Sequence, residues 1–600
     1  MADIWYGERA AIDPTTVRPM NNVDVQFYAP TDTAFTAPLT VKDSSGVATT
    51  SVHVQNYILP GFYGPDTGCV ARSGSWITPL VGDSGAAALA QAEAAVASAT
   101  SAVSQVTGVS STLGVVARSL GSYATSNQLN GTADATSALQ DCVDDLPNGG
   151  RIVSPPGSIL YFDGTAQVDL SGTDGITFDL SGSTIKKGST GSYVIFLARG
   201  ALGYGSTVRN LTIENGYFLG TFATGAETPM CVLTANHAQN VIIRNCEFVG
   251  CATQSHHTFD LGGCDNVIFE DCVWRGFKPT SGSNPRTEAV NVDVSVNGSG
   301  ADVPPWLDGL ASRNIHMNRC QFLPWTESST TYPSPNPMGS HLAREGQLFE
   351  NISATNILIV DPVVDPATDS ISAENPELHG LFHFPGVKNL RIQARVVATN
   401  GLGSTRVVQV QSASTGSQAS TDPNVGGQGA FATANRSQNI DIDLQVEGLK
   451  GTASPTLNPQ VLISGTSTAP VRNVNIKLSS DGCSSNAVYA RYADDISVQL
   501  VRCDAADVAF RATNTNRANL RGNISQTRLL FAGTNAVDTT ITQVNATHTT
   551  TQPSLMSGVT GSKIVASGIS GTGYSYIYSV APATHAEAAY LGFTGVVTPP

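Results

Sequence analysis

Two stretches of the chain, residues 240–250 (NVIIRNCEFVG) and residues 266–276 (NVIFEDCVWRG), share one pattern and align without a gap. They begin 26 residues apart, and a third copy, NLTIENGYFLG, occupies residues 210–220. Each copy starts with Asn, alternates apolar and other residues as a strand does, and bends at a polar pair before the next inward apolar residue. Units of this length cannot bury an apolar face alone and must stack on their neighbours. The repeat therefore predicts the coils of a solenoid.

Further copies of the pattern extend this prediction towards the C-terminus, where they begin at Asn314, Asn356, Asn389, Asn439, Asn473 and Asp495. The strands of successive coils are expected to pair at the usual spacing of about 4.8 Å. Two steps are wide, at 48 residues after position 266 and 50 residues after position 389. Long loops on one face of a solenoid are where binding sites are built.

The composition suits a β protein with many turns, because the 600 residues include 58 glycines and only 13% charged residues. The net charge of −15 argues against nucleic acid as a partner and favours a neutral or weakly charged polymer such as a polysaccharide. No apolar run is long enough to cross a bilayer, and residues 1–30 lack the pattern of a signal sequence. We therefore expect a soluble chain made in a cytoplasm, without membrane insertion.

The ten cysteines have neither zinc-site spacing nor the arrangement of a compact disulfide framework. Several of them, including Cys246, Cys272 and Cys320, occupy the same place in the repeat. We expect a column of buried thiols that act as small apolar groups. No metal and no cofactor are predicted.

Composition divides the chain into four predicted regions. Residues 1–82 read as a small β domain that serves for attachment, and residues 83–122 as a helical neck. Leu89, Val96 and Val103 recur every seven residues, which favours a short parallel coiled coil joining three chains; a lone alanine-rich linker helix is the alternative. Residues 123–560 form the solenoid, with an amphipathic helix at 135–143, and residues 561–600 form a cap or a second trimer contact.

The segment that follows the neck contains NGTADATSALQ at residues 130–140 and GGRIVSPPG at residues 149–157. These motifs resemble the entry of the pectate-lyase-like right-handed parallel β-helix that occurs in phage tailspikes and polysaccharide-active enzymes. The resemblance implies an all-β chain built around this β-helix, with the small N-terminal β domain and the helical neck in front of it.

Strand alternation identifies candidate catalytic carboxylates in the first wide step. The apolar neighbours of Asp260 should point inward, which places Asp260 outward together with His256. The same alternation in EAVNVD, residues 288–293, places Asp293 outward and Glu288 at the strand entry. Asp260 and Asp293 are thus expected on one outer face of neighbouring coils. The alternative is that such outward carboxylates are solvated or cap turns.

Residues 257–293 resemble β-helix proteins of Gram-positive bacteria and their phages, whose pattern runs H-x-x-D-L-x-G-C-x-N-V, C-x-[FW]-x-G-F and E-A-[IV]-x-[IV]-D; GSH at residues 339–341 continues it. The resemblance implies a polysaccharide-directed protein with Asp260, Glu288 and Asp293 as acid and base groups. The residues predicted to contact the substrate are His256, His257, Trp274, Arg275 and His341. A glycoside hydrolase needs two carboxylates that flank the bond. A lyase commonly acts on acidic sugars and would need more positive charge than this chain has, so a hydrolase is favoured.

Together these regions predict a phage tailspike or minor tail protein. It would be a homotrimer joined through the neck, attached to tail or baseplate proteins through residues 1–82, and located in the virion tail. Its partner would be a host cell-surface polysaccharide, and whether it also cleaves that polymer is left open. The alternatives are a receptor-binding tail protein without catalysis and a free-standing polysaccharide enzyme, which the absent signal sequence disfavours.

Overall fold

The computed structural model describes two separate units, residues 1–109 and 110–600. It describes residues 3–80 except 7–8, 11, 14–17, 20–22, 30, 33, 44, 46, 55–57, 60–61, 66–68 and 74–75. It also describes residues 116–574 except 164–165, 189–193, 206, 224–226, 254–255, 280–287, 296–307, 341, 364–379, 400–405, 416–429, 450–458, 484–485, 505, 553–555 and 558–563, and finally residues 588–591. The predicted neck helix at 84–106 lies outside these ranges.

The N-terminal unit is a small antiparallel β structure, as predicted. One four-stranded sheet has the order Trp76–Leu80, Cys69–Ser73, Val23–Tyr28, Ser51–Val54, and a second has the order Asp3–Tyr6, Phe62–Pro65, Val41–Lys42, Ala48–Thr49. Two short pairs join Arg9–Ala10 with Ile58–Leu59 and Ile12–Asp13 with Arg18–Pro19. Val25, Phe27 and Val54 are fully buried in its core.

The second unit is the predicted right-handed parallel β-helix, and its strands form three parallel stacks. The first stack contains Ala117–Ser119, Gly150–Val153, Ile176–Asp179, Arg209–Glu214, Gln239–Arg244, Asp265–Glu270 and Arg313–Asn318. The second contains Asn130–Asp134, Ile159–Phe162, Thr184–Lys187, Tyr217–Leu219, Glu247–Thr253, Val273–Lys278 and Gln321–Leu323. The third contains Val168–Asp169, Val194–Arg199, Cys231–Asn236, Phe259–Gly262, Glu288–Asp293, Asn336–Gly339, Phe382–Pro385, Val408–Gln411 and Val461–Ser464.

Towards the C-terminus the strands lengthen and run through more than one stack. Phe349–Val360, Val387–Val397, Gln438–Glu447 and Val471–Asp481 continue the first two stacks, whereas Val488–Asp504 and Val508–Ser525 continue all three. The remaining strands of the sheet are Leu529–Thr534, Thr539–Gln552, Met556–Ser557, Ile564–Tyr574 and Ala588–Leu591. Two antiparallel pairs lie beside it: Trp325–Glu327 with Thr330–Tyr332, and Ala413–Thr415 with Ala430–Asn435.

From residue 210 onward, asparagine begins most coils because the chain there adopts a left-handed backbone conformation. Eight of these asparagines have φ between 54° and 62°: Asn210, Asn240, Asn266, Asn314, Asn351, Asn389, Asn439 and Asn473. Asn tolerates this conformation better than most residues. Its side-chain amide also donates to the asparagine of the preceding coil, as from Asn266 to Asn240 (2.8 Å) and from Asn473 to Asn439 (3.0 Å). The repeated Asn therefore marks the start of the first stack. The copy predicted to begin at Asn356 begins at Asn351, which donates to Asn314 Oδ1 at 2.8 Å, whereas Asn356 lies at the following turn and donates to Asn318 Oδ1 at 3.0 Å.

The interior of the helix is filled by columns of like residues. Phe248 of one copy and Trp274 of the next lie 4.9 Å apart between ring centroids, and Trp274 stacks on Phe322 at 4.8 Å. The ten cysteines are all free and buried. Burial raises the pKa of the Cys272 thiol well above its usual value, so it stays protonated as a small apolar group.

The start of the β-helix is closed by the predicted amphipathic helix, which spans Thr136–Asp144 and buries Leu139, Cys142 and Val143. It follows the short helices Leu120–Ser122 and Ser126–Leu129. Residues 117–119, which the sequence assigns to the neck, already pair with Gly150–Val153. Among the described residues, no helix is long and apolar enough to span a membrane.

Candidate functional site

The third stack differs from the other two in that the outer face of several of its strands is buried. Strands of the first two stacks alternate buried and exposed residues, as in Gln438–Glu447. In the third stack, Phe259–Gly262, Glu288–Asp293, Asn336–Gly339 and Phe382–Pro385 are buried at every position. Buried polar groups require hydrogen-bond partners, so this outer face is held by polar contacts.

Asp260 and Asp293 lie on this outer face of neighbouring coils, while Phe259, Leu261, Val290 and Val292 fill the core on the other side. Asp260 is paired in register with Asn291. The amide of Asn291 donates to Asp260 Oδ1 at 3.1 Å and to Asp293 Oδ2 at 3.0 Å. These two oxygens are thus at most 6.1 Å apart, the sum of both lengths.

The third predicted carboxylate, Glu288, lies between two histidines. Its Oε1 is 2.5 Å from His383 Nε2, and its Oε2 is 3.7 Å from His257 Nδ1. His383 Nδ1 is 2.9 Å from the Gly380 carbonyl, which can only accept, so that nitrogen carries a proton. The short contact then needs a second proton, held either by His383 or by Glu288. This proton lies in the hydrogen bond between the two side chains.

The pKa values of the two predicted histidines, His256 and His257, are shifted in opposite directions. Burial disfavours the charged form of His257, but the carboxylates of Asp260 and Glu288 outweigh this and raise its pKa. Burial lowers the pKa of His256, whose Nδ1 lies 3.0 Å from Thr253 Oγ1. The surroundings therefore favour the protonated form of His257 and the neutral form of His256.

The other residues predicted to contact substrate do not join this cluster. Trp274 is 1% exposed and stacked inside the helix, so its ring packs the core instead of contacting a polymer outside. Arg275 lies on the second stack, where its Nε donates to Glu247 Oε1 at 2.5 Å. His341 lies outside the described residues.

Sequence reasoning did not find the side chains that hydrogen-bond to the three carboxylates. Asn291 lies within the strand predicted from EAVNVD, but nothing in the sequence assigned it a role. Ser340 was not predicted either, and it donates to Asp293 Oδ1 at 2.7 Å. His383 had a usable signal, since alternation in Phe382–Pro385 places it opposite the buried Phe382 and Phe384. We call Asp260, Glu288, Asn291, Asp293, Ser340 and His383 the carboxylate cluster.

Two amide oxygens beside the carboxylates have no hydrogen-bond donor among the described residues. They are Oδ1 of Asn291 and Oδ1 of Asn336. Asn291 is 4% exposed and Asn336 is 2% exposed. Both orientations are fixed, because the amide nitrogen of Asn291 serves the carboxylates and that of Asn336 donates to Gly380 O at 2.9 Å. A ligand hydroxyl would satisfy such an acceptor. No group of described side chains is arranged to hold a metal ion.

Comparisons with known proteins do not define a family for this chain. No protein-family model matches it, and no curated protein sequence matches it. Similar solved structures include the adhesin PfbA of Streptococcus pneumoniae, with 12% identity over 80% of this chain and 98% of the other, and a TM-score of 0.38.

Two phage proteins are also similar. Tailspike protein 3 of bacteriophage CBA120 has 11% identity over 80% of this chain and 62% of the other, with a TM-score of 0.39. The tailspike mutant of E. coli bacteriophage HK620, solved with a pentasaccharide, has 10% identity over 79% and 78%, with a TM-score of 0.40. At these values, the β-helix assignment rests on the strand pairing within this chain.

Proposed function

We propose that this chain is a tailspike or minor tail protein of a bacterial virus that binds a host cell-surface polysaccharide and hydrolyses it at the carboxylate cluster. The observation that carries the proposal is the pair of carboxylates, Asp260 and Asp293, held within 6.1 Å by Asn291. Retaining glycosidases place their two carboxyl groups about 5–5.5 Å apart, and inverting ones about 6.5–9.5 Å apart. The upper limit set by Asn291 favours the shorter arrangement.

The surroundings of the carboxylates suggest a division of roles. The amide of Asn291 donates to both carboxyl groups and holds them in place, which suits Asp260 or Asp293 as nucleophile or base. Within the pair, the other aspartate would serve as the acid that protonates the leaving oxygen. Glu288 is hydrogen-bonded to His383. The acceptors on Asn291 and Asn336 would take hydroxyl groups of the sugar.

The proposal extends to assembly and location. The N-terminal unit forms its own compact body, which suits attachment to tail or baseplate proteins. The heptads at Leu89, Val96 and Val103 support a homotrimer. The virion tail is the corresponding location.

A second candidate is a receptor-binding tail protein without catalysis, and the burial of the cluster favours it. Asp260, Glu288 and Asp293 are 4%, 1% and 7% exposed, and each takes part in hydrogen bonds or ion pairs within the chain. A network of this kind stabilises the outer face of the third stack. Under this reading the polysaccharide binds elsewhere.

The test is the release of reducing ends from polysaccharides extracted from a panel of bacteria. We expect release by the parent chain, and a loss of at least about 100-fold in Asp260→Asn and Asp293→Asn, because each removes one of the paired carboxylates. The exposed Asp441→Asn is the matched control and should keep full activity, since Asp441 contacts only Asn475 and Arg391 in the described structure. Circular dichroism must show that the variants fold.

Two outcomes would decide against hydrolysis. If both Asp260→Asn and Asp293→Asn keep their activity, these residues are not the catalytic site. Binding of a polysaccharide without any release, in the parent as in the variants, would favour the receptor-binding candidate. Release of unsaturated sugars, seen by ultraviolet absorbance, would identify a lyase instead.

A further inference from the structure

A second concave surface lies at the corner between the first and second stacks, away from the carboxylate cluster. Its volume is about 580 Å³, within the usual range of small-ligand sites, about 300–1,000 Å³. The side chains that face it include Thr184, Asn215, Tyr217, Asn245, Glu247 and Asp271, and we call this surface the corner groove.

The wall of the corner groove is rigid. Each coil turns here within two residues, between Arg244 and Glu247 and again between Glu270 and Val273. The turn residues Asn215, Asn245 and Asp271 have φ of 61°, 53° and 54°. Asn215 donates to Asp179 Oδ1 at 3.0 Å, and Asn245 donates to Asn215 Oδ1 at 3.4 Å. Its shape is thus formed before a ligand arrives, which lowers the entropic cost of binding.

Charged groups around the groove are neutralised by partners. Glu247 accepts from Arg275 at 2.5 Å, and Asp271 accepts from Arg319 at 2.7 Å. Glu214, behind the wall, accepts from Arg151 and Arg244, each at 2.6 Å. The corner groove therefore lacks the unpaired cations that bind a polyanion.

An aromatic ring stands in the floor of this neutral groove. Tyr217 is 36% exposed, and its strand neighbours in register are Thr184 and Glu247. An exposed ring flanked by amide and hydroxyl groups matches a sugar, whose ring presents an apolar face and whose edge presents hydroxyls. Tyrosine is also among the residue types that dominate binding energy at interfaces.

We propose that the corner groove is a second saccharide-binding site, which takes a short uncharged segment of polysaccharide against the ring of Tyr217. This extends the proposed function, since it rests on the same class of ligand, but it uses a different stack and no residue of the carboxylate cluster. A long polymer could then be held at one site while the other acts on it, which raises the effective concentration at the second site.

The test uses the full chain on an array of purified neutral and uronic-acid-containing bacterial polysaccharides. We expect binding to at least one neutral polysaccharide, weakened at least about tenfold in Tyr217→Ala, as for a central aromatic contact. Tyr217→Phe keeps the ring and should stay within about threefold of the parent. Val501→Ala, which trims another exposed apolar residue of the β-helix (44% exposed), is the control and should bind as the parent does.

The proposal is overturned if no neutral polysaccharide binds, or if Tyr217→Ala binds as well as the parent. The double variant Asp260→Asn, Asp293→Asn separates it from the hydrolase proposal, because binding through Tyr217 should persist there. A chain that binds in a Tyr217-dependent manner and releases no reducing ends would refute hydrolysis and support the corner groove. A chain that needs Asp260 to release reducing ends, and that binds the polysaccharide equally well without the Tyr217 ring, would support hydrolysis and refute the corner groove.

Discussion

Removal of the Asn291 amide is the most direct perturbation of the carboxylate cluster. In Asn291→Ala, Asp260 and Asp293 each lose a hydrogen bond from the same nitrogen. Hydrogen bonds to charged groups contribute about 1.5–3 kcal/mol each. We therefore expect the loss of about 3–6 kcal/mol of local stability.

Hydrogen exchange measured by mass spectrometry is the suitable assay, because it reports local opening in a chain too large for a two-state unfolding analysis. Peptides that cover residues 259–262 and 288–293 should exchange at least about 100-fold faster in Asn291→Ala at pH 7.5, after correction for intrinsic rates. Asn475→Ala is the matched control, because Asn475 donates to Asp441 Oδ1 at 2.9 Å in an exposed pair. Exposed pairs of this kind contribute less than about 1 kcal/mol.

Exchange of those peptides within about threefold of the parent would refute the bridging role of Asn291. That result would mean that Asp260 and Asp293 are held by other contacts, and the distance limit would no longer support a catalytic pair.

Two further perturbations test the histidines of the cluster. In Gly339→Ala, the new Cβ would lie 2.4 Å from the ring of His383. We expect the ring to leave Glu288 and polysaccharide hydrolysis, measured as reducing ends, to fall at least about tenfold. Gly205→Ala, where a Cβ meets no atom within 4 Å, is the control and should remain active. The raised pKa of His257 means that its proton stabilises the folded state fully below pH 6.5 and that this stability is lost as the pH rises through the raised value. His257→Gln should therefore flatten the pH dependence of exchange in residues 288–293 between pH 6 and 8; an unchanged profile would contradict the assignment.

Much of the β-helix could be predicted from the sequence because its periodicity is local. The Asn at the start of each coil occupies a conformation that Asn tolerates better than most residues, and the alternation in each strand separates core from outer face. The same alternation placed Asp260 and Asp293 on one face. These inferences need only residues within one coil.

Contacts between distant coils could not be predicted in this way. Glu288 and His383 are 95 residues apart in the chain, and their contact depends on the lengths of the loops between them and on the missing side chain of Gly339. Contacts with a distant part of the chain also explain why Gly250 and Gly276, which end two of the repeats, are glycines. A Cβ at Gly250 or Gly276 would lie 2.7 Å or 2.9 Å from Trp325, which belongs to a hairpin packed beside the second stack.

The distribution of loop lengths connects fold and site. The turn from the first to the second stack has two residues in successive coils, after Glu214, Arg244, Glu270 and Asn318. The connections into and out of the third stack are longer and vary, with 9 residues between Lys278 and Glu288 and 19 between Asp293 and Arg313. Variable loops over a constant scaffold are where binding and catalytic residues concentrate. The third stack thus combines the variable chain segments with the buried carboxylates, whereas the corner groove lies beside the constant turns. Under the proposed function, a change of polysaccharide specificity would arise in the third-stack loops, while the corner groove keeps its shape.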